Sequence, residues 1–360
     1  MDGHRGQARR ALRPHRWCVP HRDIVVLGAS AGGVELLLEL VPELPAGFPA
    51  SLFVVIHTPP GHASQMPELL TARGPLQAVH PLHGDPIAPG RIYLAPPDSH
   101  LLVRPGHVEV VRGPRENGHR PAVDPLFRTA SWAYGPRVVG VILSGLQDCG
   151  TAGMMSVKAR GGVAVVQDPA TAAAGEMPAS VLRRVDVDHV VHPLELPGLL
   201  VRLASERVPE QEPAAPPRGI EKLEGQRLGA PAPLVCPTCQ GVLTEAHVGD
   251  FEQYRCHVGH AFTLDALAHE QSESVERALW AAVRSLEESA TLSRRLAVRT
   301  VDDSLRRRFV EAGGTQFRQA DTIRRVLLEG GAKMQEPEPE TAEHGAPPAG
   351  TLGGGNGSGA

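Results

Sequence analysis

The sequence predicts an α/β fold: a doubly wound, mostly parallel sheet with an appended antiparallel hairpin, then a small cysteine- and histidine-bearing knuckle and an α-helical hairpin. Three observations predict it. Short β-branched runs alternate with helical stretches from residue 23 to about residue 203, as βαβ units do. Cysteines and histidines cluster within 234–262. Beyond them, apolar residues recur at helical spacing.

The strand-like runs are 24–27, 52–56, 91–94, 107–111, 138–143 and 163–166. Several are continuously apolar, as strands covered on both faces of a parallel sheet must be. The runs 91–94 and 107–111 lie close together, separated by a stretch ending in Arg104-Pro105-Gly106. They read as the antiparallel hairpin appended to the sheet.

Residues 204–233 are rich in Pro, Glu and Gly without apolar periodicity and read as a linker. The knuckle follows at 234–262. Thr263 can cap a long helix carrying Leu279, Val283, Leu286 and Ala290 on one stripe. A second helical stretch carries Leu305, Phe309, Ile323 and Val326, with Gly313-Gly314 expected to break it; together they span 263–330. Residues 331–360, with their Gly/Ser run, read as a disordered tail.

Composition excludes several classes. A net charge of −4 gives no general drive toward nucleic acid or membrane. No apolar run approaches the ~20 residues of a membrane span, so no membrane insertion is expected. Residues 1–22 carry Arg5, Arg9, Arg10, Arg13, Arg16 and Arg22 without an apolar core, and read as a disordered basic leader rather than a signal peptide or an RNA-binding arm. Five cysteines, three of them late and near histidines, argue for a reducing compartment, hence a cytoplasmic protein, and for a metal site over a disulfide framework.

The most informative segment runs from Ile24 through Gly28-Ala29-Ser30-Ala31-Gly32-Gly33 into a helix. Strand, glycine turn and helix N-terminus make a place where backbone N–H groups face developing negative charge. Ser30 is there either a nucleophile or a cap. A dinucleotide fingerprint needs differently spaced glycines and an acidic residue ending the second strand, which instead ends in His57; a phosphate-binding Gly-Lys-Ser/Thr is missing. His57 at the carboxyl end of the second strand is placed to take the Ser30 proton, because parallel strands deliver their ends to one rim. The strand at 138–143 ends on that rim too, and Asp148 is the carboxylate in the turn after it, the natural group to orient an imidazole.

These pieces, with His57-Thr58-Pro59-Pro60-Gly61, Gly90 to Pro96 with His100, Pro121 to Phe127, Leu143-Ser144-Gly145, Gly150 to Gly153, Gln167-Asp168 and Gly175 to Pro178, resemble in order and spacing the catalytic domain of CheB-type protein-glutamate methylesterases over residues 23–203. The resemblance implies a carboxylic-ester hydrolase acting on glutamate methyl esters of methyl-accepting chemoreceptor cytoplasmic helices, with glutamine deamidation in many members. It implies Ser30 as nucleophile, His57 as general base, no cofactor for catalysis, and an oxyanion site at the turn Ala31, Gly32, Gly33, with Leu146 where a methionine often stands. The family's triad acid directly precedes the glycine that here is Gly150; that position is Cys149, and Asp148 stands one residue early. Family members often carry an N-terminal receiver domain, for which 22 residues are too few, so control by phosphorylation in cis is not expected.

Cys236-Pro-Thr-Cys239 and Cys256-His257-Val-Gly-His260 have zinc-knuckle spacing. Cys236, Cys239, Cys256 and His260 would fill a tetrahedral Zn²⁺ site, with His257 the alternative fourth ligand, and four protein ligands make the role structural. Basic residues with interleaved aromatics are scarce, which argues against nucleic acid. The C-terminal helices either pack on each other or recognise a partner or a second copy of the chain. The main expectation is therefore a chemotaxis esterase with Ser30, His57 and Asp148 as its triad, losing activity as His57 protonates near its ordinary ~6.5. The competing expectation, motivated by Cys149, is a catalytically weakened scaffold that binds receptor or signalling partners through the C-terminal helices.

Overall fold

The computed structural model describes residues 20–58, 64–209, 227–248 and 251–330. The expected leader up to residue 19, Pro59 to Gly61 of the second motif, linker residues 210–226 and the expected tail at 331–360 lie outside these. The chain divides into two compact units between Ser272 and Glu273.

The first unit begins with β1 (Ile24–Ala29), α1 (Gly33–Leu40), β2 (Ser51–Ile56), α2 (Met66–Arg73), β3 (Gln77–Val79) and β4 (Arg91–Leu94). It continues with β5 (His100–Arg104), β6 (His107–Val111), α3 (Val123–Tyr134), β7 (Val138–Ile142), α4 (Thr151–Ala159), β8 (Val163–Gln167), α5 (Glu176–Arg184), β9 (His189–Val191) and α6 (Leu196–Ala204). Seven strands form one parallel sheet in the order β3-β4-β2-β1-β7-β8-β9. Strand order reverses at β1, between β2 and β7, which is where doubly wound sheets open a crevice at the strand ends. Each sheet face is covered by its own apolar layer. One contains Leu27, Leu37, Val54 and Leu200, the other Val26, Phe53, Leu126 and Phe127. Each such buried side chain contributes roughly 1.5–3 kcal/mol.

The expected hairpin needs correction. Residues 91–94 pair in parallel with β2 and β3 inside the main sheet, and the hairpin is β5 with β6. The two-residue connection Pro105-Gly106, with Gly106 at φ 81°, joins neighbouring runs, so the partner of 107–111 is the run immediately before it.

After the gap come β10 (Arg227–Val235), β11 (Val242–Val248), β12 (Phe251–Cys256) and β13 (Ala261–Phe262), an antiparallel sheet in that order. The expected linker therefore ends earlier than residue 233, since 227–233 lie in β10. Its Pro and Gly residues hid a strand that sits at the sheet edge, where register shifts around Pro231 are tolerated. Helix α7 (Leu264–Arg299) begins in this unit.

The second unit holds most of α7 and α8 (Asp303–Gly330), which pack on each other: Gln316 bonds both Ser289 and Ser293. The expected break at Gly313-Gly314 does not occur, and α8 runs through it. A Cβ on Gly313 would come 3.2 Å from the Ala290 carbonyl oxygen, so this glycine serves close helix approach instead. Among the described residues, no helix is long and apolar enough to cross a membrane.

Candidate active site

Three strand ends converge. β1 and β2 run in register to Ala29↔Ile56, so Ser30 and His57 are the next residues on neighbouring strands. The His57 N–H donates to the Ala29 carbonyl (3.3 Å), extending the ladder by one step. On the other side of β1, the Ser30 N–H donates to the Ser144 carbonyl (2.9 Å). The turn after Ser30 is then clamped by Ser144: its Oγ donates to the Ala31 carbonyl (2.6 Å) and accepts from the Ala174 N–H (2.9 Å), while its own N–H donates to Gln167 Oε1 (2.9 Å). Gly32 takes φ 76°, and a Cβ there would lie 2.6 Å from the Ala173 Cβ. Only glycine fits that backbone. Ser30 is half-buried, with Ala31 exposed beside it and Gly33 opening α1. Leu146 stands exposed on the rim.

The His57 imidazole stacks on His119, with ring centroids 3.6 Å apart and planes 13° from parallel. Both His57 ring nitrogens are buried, and neither has a hydrogen-bond partner among the described residues. Burial, and secondarily the neighbouring His119, holds the His57 pKa well below the ordinary imidazole value. The expectation of protonation near ~6.5 is thereby displaced downward: the ring is neutral at neutral pH, the form a general base requires. No hydrogen bond joins it to Ser30 in this conformation, as is common before a ligand tightens a catalytic pair.

Asp148 does not reach that ring. Its carboxylate is buried and accepts from the Thr263 hydroxyl (Oγ1 to Oδ1, 2.8 Å). Burial pushes its pKa up to about 6, against the lowering effect of the Thr263 bond. Cys149 is buried too, its Sγ accepting from the Val123 N–H (3.5 Å). Burial, then the nearby Asp124 charge, raises its pKa well above the ordinary thiol value, so it is a neutral thiol and cannot stabilise an imidazolium. The sequence reading passed over Asp124. From the first turn of α3 it accepts from the Gly153 N–H (2.6 Å) and the Gly150 N–H (3.1 Å), which ties down the N-terminus of α4 and the loop before it.

The sequence reading also missed a turn at residues 116–119. Asn117 donates from Nδ2 to Asp124 (3.2 Å), accepts at Oδ1 from the Thr263 N–H (3.0 Å), and donates its own N–H to the Ala261 carbonyl (2.8 Å). The Glu116 carboxylate takes both guanidinium arms of buried Arg128, at 2.6 and 3.1 Å. Thus the segment after β12 docks against the loops around His57 and Asp148. Asp124 and Ser144 lay inside motifs already noted in the sequence. Nothing local marked His119 or Thr263 for these contacts.

The ligand atoms of Cys236, Cys239, Cys256 and His260 all lie within 4.8 Å of one another. Cys239 and Cys256 sulfurs are 3.6 Å apart, and His260 Nδ1 is 3.6 Å from Cys236 Sγ and 3.5 Å from Cys256 Sγ. Zn–S bonds of ~2.3 Å and Zn–N bonds of ~2.0 Å at tetrahedral angles imply edges of roughly 3.8 Å between sulfurs and roughly 3.5 Å between sulfur and nitrogen. The cluster has those dimensions. His257 is outside it, its ring beside Gly241.

Known proteins resemble this chain over its first half. The family described as CheB methylesterase matches residues 25–200. A protein-glutamate methylesterase/protein-glutamine glutaminase of Myxococcus xanthus is 39% identical over 183 residues, 51% of this chain and 51% of its own length. A candidate enzyme of the same designation from Leptospira interrogans is 34% identical over 182 residues, 50% of this chain and 94% of its own. The crystal structure of the Thermotoga maritima CheB methylesterase catalytic domain matches 50% of this chain and 98% of that one, with 34% identity and a TM-score of 0.48. The chain spans about half the length of curated relatives such as the Myxococcus protein.

Proposed function

Because the chain belongs to the CheB methylesterase family, we propose that it is a serine esterase that hydrolyses glutamate methyl esters, and by the same acyl chemistry deamidates glutamines, on the cytoplasmic helices of chemoreceptors. One observation carries this reading: Ser30 and His57 end neighbouring parallel strands in continuous register at the switch point of the sheet. Ser30 Oγ attacks the ester carbonyl and His57 takes its proton. The tetrahedral oxyanion forms against the turn Ala31-Gly32-Gly33 at the N-terminus of α1, where one preorganised donor is typically worth about 3 kcal/mol. Collapse breaks the C–OCH₃ bond as His57 delivers the proton to the departing methoxide oxygen, releasing methanol. Water, deprotonated by His57, then attacks the acyl-serine; a glutamate side chain and free Ser30 result. The reaction uses the side chains of Ser30 and His57, the backbone of the turn after Ser30, and water.

Cys236, Cys239, Cys256 and His260 hold a structural Zn²⁺ in this reading, supported by the tetrahedral edge lengths of the cluster. Four protein ligands leave the metal no open position for substrate. Its contribution is to fold the sheet of β10 to β13.

A second reading has its own support. Asp148 is engaged by Thr263, and Cys149 is a neutral thiol, so neither supplies a carboxylate to His57. Loss of an orienting carboxylate in a serine triad costs about 10⁴ in turnover. A weakened enzyme acting as a binding scaffold would hold receptor helices without hydrolysing them at a useful rate. Methanol release from methylated receptor fragments, by the parent protein and by Ser30→Ala, separates the two: turnover lost in the variant supports the esterase, and undetectable turnover in the parent supports the scaffold.

A further inference from the structure

We propose that His119 is a positioning residue for His57, and that the turn presenting it is clamped by the chain segment 261–270. The proposal rests on the reading of His57 as the general base and extends it to what orients that base.

Among the described residues no hydrogen bond sets the rotation of the His57 imidazole, and the torsion about its Cβ–Cγ bond is intrinsically broad. Orientation must then come from packing. The near-parallel stack on His119 supplies it, since a ring 3.6 Å away blocks rotation out of its own plane. The stack also shields one face of the base from water.

His119 is itself held with unusual thoroughness for a loop residue. Its N–H donates to the Glu116 carbonyl (2.9 Å), closing a turn whose central residues, Asn117 and Gly118, have φ of 50° and 75°. Positive φ at both central positions defines a type I′ turn, which Asn-Gly adopts readily. The turn is then fixed at every residue. Glu116 is anchored by Arg128, and Asn117 bonds to Asp124, Ala261 and Thr263. The Gly118 carbonyl accepts from Arg115 Nη1 (3.0 Å), and Glu270 lies so close over Gly118 that an added Cβ would meet its carboxylate at 2.2 Å. Among the described residues, the charged and titratable groups facing His119 are His57, Arg115 and, from the start of α7, His269. Arg115 and His269 act with burial to keep His119 itself neutral, its pKa lowered to about 4, so the two stacked rings do not repel. The contacts made by Ala261, Thr263 and Glu270 come from beyond β12, which makes the segment 261–270 part of the scaffold of the base.

The test compares His119→Ala, which removes the ring, with His119→Phe, which keeps a stacking ring without ring nitrogens. Two readouts are used on the full chain. One is the NMR titration of the His57 ring proton, assigned by its disappearance in His57→Gln. The other is kcat and KM for a glutamate methyl ester peptide. His119→Ala is expected to move the His57 midpoint upward toward the ordinary ~6.5 and to lower kcat by roughly tenfold to hundredfold with KM little changed. His119→Phe is expected to keep both near the parent values. An unmoved His57 midpoint in His119→Ala, or a His119→Phe protein as impaired as His119→Ala, overturns the proposal. If the parent itself releases no methanol while the His57 midpoint still moves in His119→Ala, the functional reading fails and the positioning role stands.

Discussion

Thr263 Oγ1 donates to the Asp148 carboxylate at 2.8 Å and at the same time accepts from the Ala266 N–H at 3.2 Å. One hydroxyl thus caps α7 and satisfies a buried acid 115 residues away in sequence. Loss of such a cap costs about 1 kcal/mol, and a buried carboxylate left without its donor costs about 1–3 kcal/mol more. Thr263→Val is therefore expected to destabilise the first unit by roughly 2–4 kcal/mol in chemical denaturation. Thr263→Ser, which keeps the hydroxyl, should recover most of that.

The same carboxylate makes stability depend on pH in a defined direction. Asp148 titrates at about 6 in the folded protein, against ~3.9 in an unfolded chain. A carboxyl raised in this way contributes stability that is fully present below about pH 4 and is lost as the pH rises through about 6. In Asp148→Asn that dependence disappears. Relative to the parent, the variant should gain up to about 3 kcal/mol between about pH 4 and about pH 7.5, at ~1.4 kcal/mol per pKa unit. Denaturation curves of both proteins at the two pH values measure it; a constant difference between them would contradict the burial of an ionisable carboxyl here.

The acid limb of hydrolysis should lie unusually low. The base must be neutral, and burial with the stacked His119 depresses the His57 pKa. Lowering the pH from about 7.5 to about 6 is expected to leave kcat/KM nearly constant, whereas an ordinary imidazole would already be more than half protonated at about 6. Small-ester hydrolysis followed across that range reads this directly.

Removal of metal should act on the C-terminal sheet first. The cluster Cys236, Cys239, Cys256, His260 predicts about one equivalent of zinc per chain, measured by atomic absorption. A strong chelator, or Cys236→Ser, is expected to open β10 to β13 to amide exchange. Protection in β1, β2 and β7, at the centre of the main sheet, should persist.

Much of this was legible in the sequence because it is local. Apolar runs such as 24–29 and 52–56 announce strands covered on both faces, and Ser30 and His57 are the residues that follow them. Cysteine spacing likewise picked out four residues whose side chains cluster. The errors arose where neighbouring structure overrides local pattern. Residues 100–104 looked like a connection because a short turn hides at Pro105-Gly106, and 227–233 looked like a linker because an edge strand tolerates proline. Gly313 looked like a break because its reason, the Ala290 carbonyl, sits on another helix. The fate of Asp148 was beyond reach for the same reason. Its position suggested an imidazole partner, but the hydroxyl that claims it comes from Thr263, and the ring that orients His57 comes from the turn at 116–119.

Methanol release from methylated chemoreceptor fragments, with parent, Ser30→Ala and Cys149→Asp proteins side by side, tests the central claim most directly. The account predicts measurable release by the parent, its loss in Ser30→Ala, and a marked rise in Cys149→Asp, where a carboxylate is restored at the N-terminus of α3 beside the Val123 N–H. Release that continues undiminished in Ser30→Ala would contradict it.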